Sequence, residues 1–259
     1  MPDAVYVERE ANIATVILNR PEKLNALDLA SWAKVGEILR QLDGEDGLRC
    51  IVFRGVDARA FAAGSDIAGF AEHRSTPPQV RKYGETIDAT LTAIAVCRHP
   101  TVAAIRGVCV GGGMEISSVC DIRICGASSR FGAPINRLGL TMSHAELRPL
   151  IDVVGITGAL EILLEGALFG AERARELGFV TRIVADDDVD DEAYATARRI
   201  AEGAPLVNRW HKKFIRRLAD PTPLAQEEID EAFEAFDTED YRIGCRAFLD
   251  KTTPVFEGR

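Results

Sequence analysis

The stretch TVAAIRGVCVGGGMEISSVCDIRIC, residues 101–125, carries the pattern that decides the fold. Residues 101–110 are apolar and rich in β-branched side chains, which predicts a strand. Gly111-Gly112-Gly113 follows, residues 114–119 predict a helix, and residues 120–125 return to strand. Strand, glycine turn, helix, strand is the crossover unit of an α/β layer architecture. The turn leaves the first helical N–H groups unpaired, and the helix dipole adds positive potential there. An anion fits such a place, whether phosphate, carboxylate or a transient oxyanion. Tight strand–helix packing alone is the other account of the three glycines. Neither Gly-x-Gly-x-x-Gly nor the Lys-Ser/Thr of a phosphate-binding loop is present. Glu115, flanked by Met114 and Ile116, shifts that balance. Burial in so apolar a stretch raises a carboxyl pKa and suits it to proton transfer. The plainer role for an acid here is to complement the helix dipole.

Outward from that unit the chain keeps alternating. Residues 5–8 and 14–18 predict strands around a polar turn, and Asn19-Arg20-Pro21 ends the second, because proline supplies no ladder donor. After Asp28 the apolar residues Leu29, Trp32, Val35, Leu39 and Leu42 recur at helical spacing until Gly44 and Gly47. Residues 50–54 form a short buried strand that leads into Ala63-Gly64-Ser65-Asp66, a second place with exposed backbone at a strand end. A long helix then carries Val80, Tyr83, Ile87, Leu91 and Ile94 on one face and stops near His99-Pro100. A helix over 171–177 and a strand over 180–184 follow. Beyond about Asp186, segments 190–203, 206–219 and 222–236 read as helices punctuated by Pro205, Pro221 and Pro223. The organisation is therefore an α/β core over 1–188 and a helical region over 189–259 that packs on the core and on neighbouring subunits.

Composition narrows the function. The 259 residues are 47% hydrophobic and 27% charged, with a formal net charge of −9. That is ordinary globular composition, large enough to bury a core without disulfides. The acidic balance argues against a nucleic-acid partner, which needs a cationic face. The opening MPDAVYVERE has no apolar signal core, and no run of about eighteen apolar residues occurs, so no membrane partner and a cytoplasmic location are expected. Cysteines 50, 97, 109, 120, 125 and 245 form no Cys-x-x-Cys pair and read as reduced, mostly buried residues. The 4 histidines form no cluster with ligand spacing, so no metal is expected.

Several motifs together resemble the enoyl-CoA hydratase/isomerase (crotonase) superfamily. They are residues 19–27 (NRPEKLNAL), residues 61–67 (FAAGSDI), Arg106-Gly107 with Gly111-Gly112-Gly113-Met114-Glu115, Cys120-Asp121-Ile122-Arg123, and Arg130-Phe131-Gly132-Ala133-Pro134. They stand in order at family spacing, and the resemblance runs from the first strand to Phe248-Leu249-Asp250-Lys251. It implies a spiral of ββα units with a C-terminal helical trimerisation region, assembled as a trimer or a dimer of trimers. It implies an acyl-CoA thioester as substrate, so that coenzyme A arrives with the substrate and no separate cofactor is needed. By position, the backbone N–H groups of Ser65 and Gly112 would hold the thioester oxygen. Because the donor is backbone, Ser65 in place of the frequent family alanine keeps the hydrogen bond. Lys23, Leu24, Ala26, Ala63, Asp66 and Ile67 would line the coenzyme A site. Phe248 and Lys251 would serve a neighbouring subunit's ligand.

One departure bears on the reaction. Family hydratases use two glutamates to deliver water, one as base and one as acid. Glu115 matches the first, but the second position is Ile135, which cannot move a proton. Glu146 and His144 are the candidate replacements, since some relatives recruit acids from that neighbourhood. Ser143-His144-Ala145-Glu146 also fits a capping box, with Glu146 folding back on the Ser143 N–H and His144 solvated. That capping box is the favoured account of the segment. Hydration or dehydration of a 2-enoyl-CoA is the first reaction class. Isomerisation, decarboxylation or other enolate chemistry, and coenzyme A binding without catalysis, are the alternatives. His73 reads as a surface side chain, Glu72 as solvated and Tyr241 as a helix-packing residue.

Overall fold

The structure is a computed structural model that describes residues 3–259. The chain opens with an antiparallel pair, β1 (Val5–Glu10) and β2 (Ile13–Leu18), in which Val5 faces Leu18 and Glu10 faces Ile13. Helix α1 (Leu29–Asp43) starts where the Asp28 carboxylate accepts the Ser31 N–H at 2.8 Å. Strands β3 (Cys50–Gly55) and β4 (Ala60–Ala62) follow, then the short α2 (Phe70–His73) and the long α3 (Pro77–Val96). Thr76 caps α3 with Gln79 in a capping box, and Pro77 sits in its first turn.

The segment expected to be one strand over 101–110 is two, β5 (Thr101–Ile105) and β6 (Val108–Val110). The break is at Gly107, whose φ is +61° and where a Cβ would lie 2.1 Å from the Arg59 carbonyl oxygen. The two halves join different sheets. Helix α4 (Gly112–Val119) leads to β7 (Ile122–Gly126), β8 (Arg130–Gly132) and the long α5 (His144–Glu165), which bends at Gly155. Next come β9 (Phe169–Gly170), α6 (Ala171–Glu176), β10 (Arg182–Val184) and α7 (Val189–Ala201). The chain ends with α8 (Pro205–Arg217), α9 (Gln226–Glu231) and α10 (Glu239–Asp250). The helix expected over 222–236 is thus reduced to α9 and a 3₁₀ turn at Glu234–Asp237, since residues 222–225 are non-helical.

The main sheet has the order β1-β2-β3-β5-β7-β10, parallel throughout except at the β1 edge. Both of its faces are covered, as a parallel sheet requires. Val16, Ile51, Phe53, Ala103 and Ile105 pack under α1, α3 and α4 in the larger core. Cys50, Val52, Val102, Ala104 and Ile124 pack on the opposite face against Val189, Ala193 and Ala197 of α7. A second, smaller sheet runs β4-β6-β8-β9. In α3, Tyr83, Ile87, Leu91 and Ile94 are buried as expected, but Val80 in its first turn is half exposed. Five of the six cysteines are buried and Cys245 is exposed. Among the described residues no helix is long and apolar enough to cross a membrane.

Candidate active site

The small sheet delivers its strand ends to one place. β4 ends beside the Ala63–Asp66 turn, and β6 ends at the glycine turn that opens α4. The two turns approach closely: a Cβ on Gly64 would lie 3.2 Å from the Val110 carbonyl and 3.5 Å from the Gly112 nitrogen. At Gly112 itself a Cβ would lie 2.7 Å from Cζ2 of the buried Trp32, so no side chain fits there. The Gly112 N–H is the first of α4 and has no carbonyl one turn back. Among the described residues, neither it nor the Ser65 N–H donates to another backbone group. The flanking backbone is fixed instead, with Leu27 N–H donating to the Gly64 carbonyl and Asp66 N–H to the Leu27 carbonyl, both at 2.8 Å.

Beside these two turns lies a cavity of about 130 Å³. Ser65, Gly112, Glu115 and Glu146 all line it, with an apolar wall that includes Ile67, Phe70, Ile135, Leu138, Leu140 and Met142. Glu115 is buried, and its Oε2 has no hydrogen-bond partner among the described residues. Its carboxyl is pushed up to about 8, first by burial, then by the negative charge of Glu146 and Asp88, with Arg74 working the other way. The expectation of a buried, pKa-raised acid at this turn therefore holds. Glu115 and Glu146 also bound a separate void of about 10 Å³. That volume is at the threshold for a single water.

Glu146 has both of the characters weighed for it. Its carboxylate accepts the Ser143 N–H, and its own N–H donates to Ser143 Oγ at 3.2 Å, so the capping box is real. The same side chain reaches the cavity wall. His144 does not: it is exposed in the first turn of α5 and lines no part of the cavity, so its candidacy as a proton carrier is not supported by position. Ile135, at the position of the second family acid, is in the wall.

Of the residues expected around coenzyme A, Lys23, Leu24, Ala26, Ala63, Asp66 and Ile67 come from two neighbouring segments of the chain that hydrogen-bond to each other. Ala63 N–H donates to the Leu24 carbonyl at 2.9 Å, and Ala26 N–H to the Lys23 carbonyl at 3.0 Å. Ala63 and Ile67 line the cavity, whereas Lys23, Leu24, Ala26 and Asp66 stand outside it. Asp66 is held by Lys23 at 2.6 Å and Arg20 at 2.8 Å, and it caps the following turn through Ala68 N–H. Those cations keep its carboxyl below the usual range. Phe248 and Lys251, on and just after α10, are exposed and do not line this chain's cavity. His73 pairs loosely with Glu72 at 3.9 Å outside the cavity, and Tyr241 packs edge-on against Phe236. The residue that sequence reasoning passed over is Arg74, which lines the cavity with its guanidinium over two aromatic rings. The available signal was its i,i+4 spacing from Phe70.

A larger recess of about 770 Å³ lies at the far end of α4, between α5 and α8. Among its charged residues, Asp121 is already satisfied by Lys212 at 2.9 Å and Arg216 at 2.8 Å. The smaller cavity, whose donors and acid are unpartnered among the described residues, is the candidate site.

A mostly parallel sheet, a helix opened by a glycine turn and a buried acid in its first turn describe an α/β protein with a candidate active site at its strand ends. Residues 8–259 match the family described as enoyl-CoA hydratase/isomerase, and the chain belongs to that family. It is 30% identical over 251 residues to the short-chain-enoyl-CoA hydratase of Clostridium acetobutylicum, with 95% of each chain covered. It is similar to the crystal structure of an enoyl-CoA hydratase/carnithine racemase from Magnetospirillum magneticum, with a TM-score of 0.98 and 43% identity over 100% of this chain and 97% of that one. The enoyl-CoA hydratase of Bacillus anthracis superimposes with a TM-score of 0.93 at 28% identity, covering 99% of this chain and 100% of that one. The crotonase fold expected from the motifs is thereby established.

Proposed function

We propose that this chain hydrates 2-enoyl-CoA thioesters. One observation carries the reading: the unpartnered carboxyl of Glu115 shares a cavity with the free amides of Ser65 and Gly112. The thioester oxygen would sit between the two amides, where negative charge collects as water adds at C3 and the π electrons move toward C1. Each such backbone donor contributes on the order of 3 kcal/mol to the barrier. The enolate then collapses by taking a proton at C2. Near neutral pH a carboxyl raised to about 8 keeps its proton, so Glu115 is suited to supply it. Glu146 would accept the proton that the attacking water loses, and return of that proton to Glu115 resets the pair. The net change is one water added.

Ile135 in the wall favours a second reading. With an apolar side chain there, the same enolate support could serve isomerisation or decarboxylation, or hold a thioester without turnover. Purified protein mixed with crotonyl-CoA separates these. Loss of the conjugated-enoyl absorbance that Glu115→Gln abolishes is the expected result. Equal rates in the variant would remove Glu115 from the mechanism. No rate with retained binding would favour the second reading.

Exposed Phe233 and Phe236 around the 3₁₀ turn, with Phe248 and Leu249 on α10, would pack against copies of this chain, in a trimer or a pair of trimers. In that assembly Phe248 and Lys251 would reach a neighbouring subunit's ligand. A monomer in sedimentation at working concentration would exclude it.

A further inference from the structure

Arg74 is the one arginine that lines the cavity, and among the described residues it forms no ion pair there. Its guanidinium carbon lies 4.3 Å from the Phe70 ring centroid and 3.8 Å from that of Tyr83. The two rings meet edge-on at 6.1 Å. Among the described residues its buried Nε has no hydrogen-bond partner, and no carboxylate stands within ion-pair distance of the side chain. Arg20 and Arg173, by contrast, are paired, to Asp66 at 2.8 Å and to Glu161 at 2.6 Å. Cation–π contact with two rings holds a guanidinium through its charge and not through its N–H donors, which stay available to an acceptor.

The cavity's own acids do not fill that role. Burial keeps the Glu115 carboxyl largely protonated at neutral pH, and the Glu146 carboxylate is turned back onto the Ser143 N–H. Much of the remaining wall is apolar, with Ile67, Ile135, Leu138, Leu140 and Met142. A cation half removed from water in such a wall is costly unless a ligand completes it. The small volume suits a short acyl chain.

We propose that Arg74 is a specificity-determining residue that selects acyl-CoA thioesters whose acyl chain carries a second carboxylate, received by the guanidinium edge as a bidentate pair. This rests on the cavity being an acyl-CoA site. The test uses saturated thioesters that cannot be hydrated, glutaryl-CoA and butyryl-CoA, titrated calorimetrically into the wild type, Arg74→Met and Arg74→Gln. The wild type should prefer glutaryl-CoA by roughly 10- to 100-fold, the range of a charge-assisted hydrogen-bonded contact. Both variants should lose that preference and hold butyryl-CoA within roughly threefold of the wild type. Absence of preference in the wild type, or its survival in both variants, would overturn the assignment. Equal weakening of both ligands would also overturn it, reducing Arg74 to a packing element. If the wild type binds neither thioester, the acyl-CoA reading falls as well.

Discussion

Helix α4 has an acid at each end, and the two are managed in opposite ways. Glu115 in its first turn is buried with no cation in contact and an unpartnered oxygen, and its carboxyl rises to about 8. Asp121, two residues beyond the helix, is held by Lys212 at 2.9 Å and Arg216 at 2.8 Å and accepts from Thr101 N–H and Oγ1. Burial pushes Asp121 upward too, but the neighbouring cations and hydrogen bonds prevail and its carboxyl stays below the usual range. One helix thus separates an acid kept ready for protons from an acid kept ionised to pin α8 onto the sheet. Burial alone distinguishes neither; the partners do.

Glu115→Gln tests the contrast hardest. Hydration should fall by roughly 1,000-fold or more, within the range of general acid–base catalysis, while a saturated acyl-CoA still binds. A stopped-flow assay that finds near-normal turnover would end the distinction between the two acids. Glu146→Gln comes next, with an expected loss of roughly 100-fold. Because glutamine also completes a capping box, stability should stay within about 0.5 kcal/mol. Unchanged turnover would leave Glu146 with its cap alone.

Asp121→Ala should behave in the opposite sense. It leaves Lys212 and Arg216 facing each other and should cost about 2 kcal/mol in urea unfolding, below the value for a fully buried pair. The discount reflects the 23% exposure of the Asp121 side chain. Turnover per folded molecule should be unchanged, and a large loss of activity would tie the far end of α4 to the chemistry. Smallest per pH unit is the linkage effect. Glu115 is raised from 4.5 to about 8 on folding, so between those values the folded state holds a proton that the unfolded state has lost. Wild-type stability should therefore decline by at most about 1.4 kcal/mol per pH unit across that window relative to Glu115→Gln. Asp121 has the reverse sign, its contribution being present above the unfolded carboxyl value and lost as pH falls below it. Parallel stability curves for wild type and Glu115→Gln would mean that Glu115 is ionised throughout.

What could be read from residues alone follows from the range of the interactions involved. The strands around 14–18 and 50–54 and the helix carrying Trp32, Val35 and Leu39 announced themselves because burial imposes a local period. The small sheet did not, because Ala60–Ala62, Arg130–Gly132 and Phe169–Gly170 are too short to show any period. Gly107 was visible as a motif residue, but its division of 101–110 between two sheets depends on the distant Arg59 carbonyl. At the site, Glu115 was legible because its neighbours in sequence are also its environment. Glu146 allowed two roles because its cap is local and its cavity contact is not. Arg74 was missed because one of its two rings, Tyr83, lies a loop and two turns away.

Trp32 has a consequence of another kind. It is fully buried, its Nε1 is unpartnered among the described residues, and its ring lies against Gly112, the peptide proposed to receive the developing charge. The other tryptophan, Trp210, belongs to α8. With that one replaced by phenylalanine, emission would come from a single indole in contact with the Gly112 turn. The fold has placed a fluorophore beside the proposed site, so a ligand bound there would change its local field and give the chain its own optical gauge of the bound state.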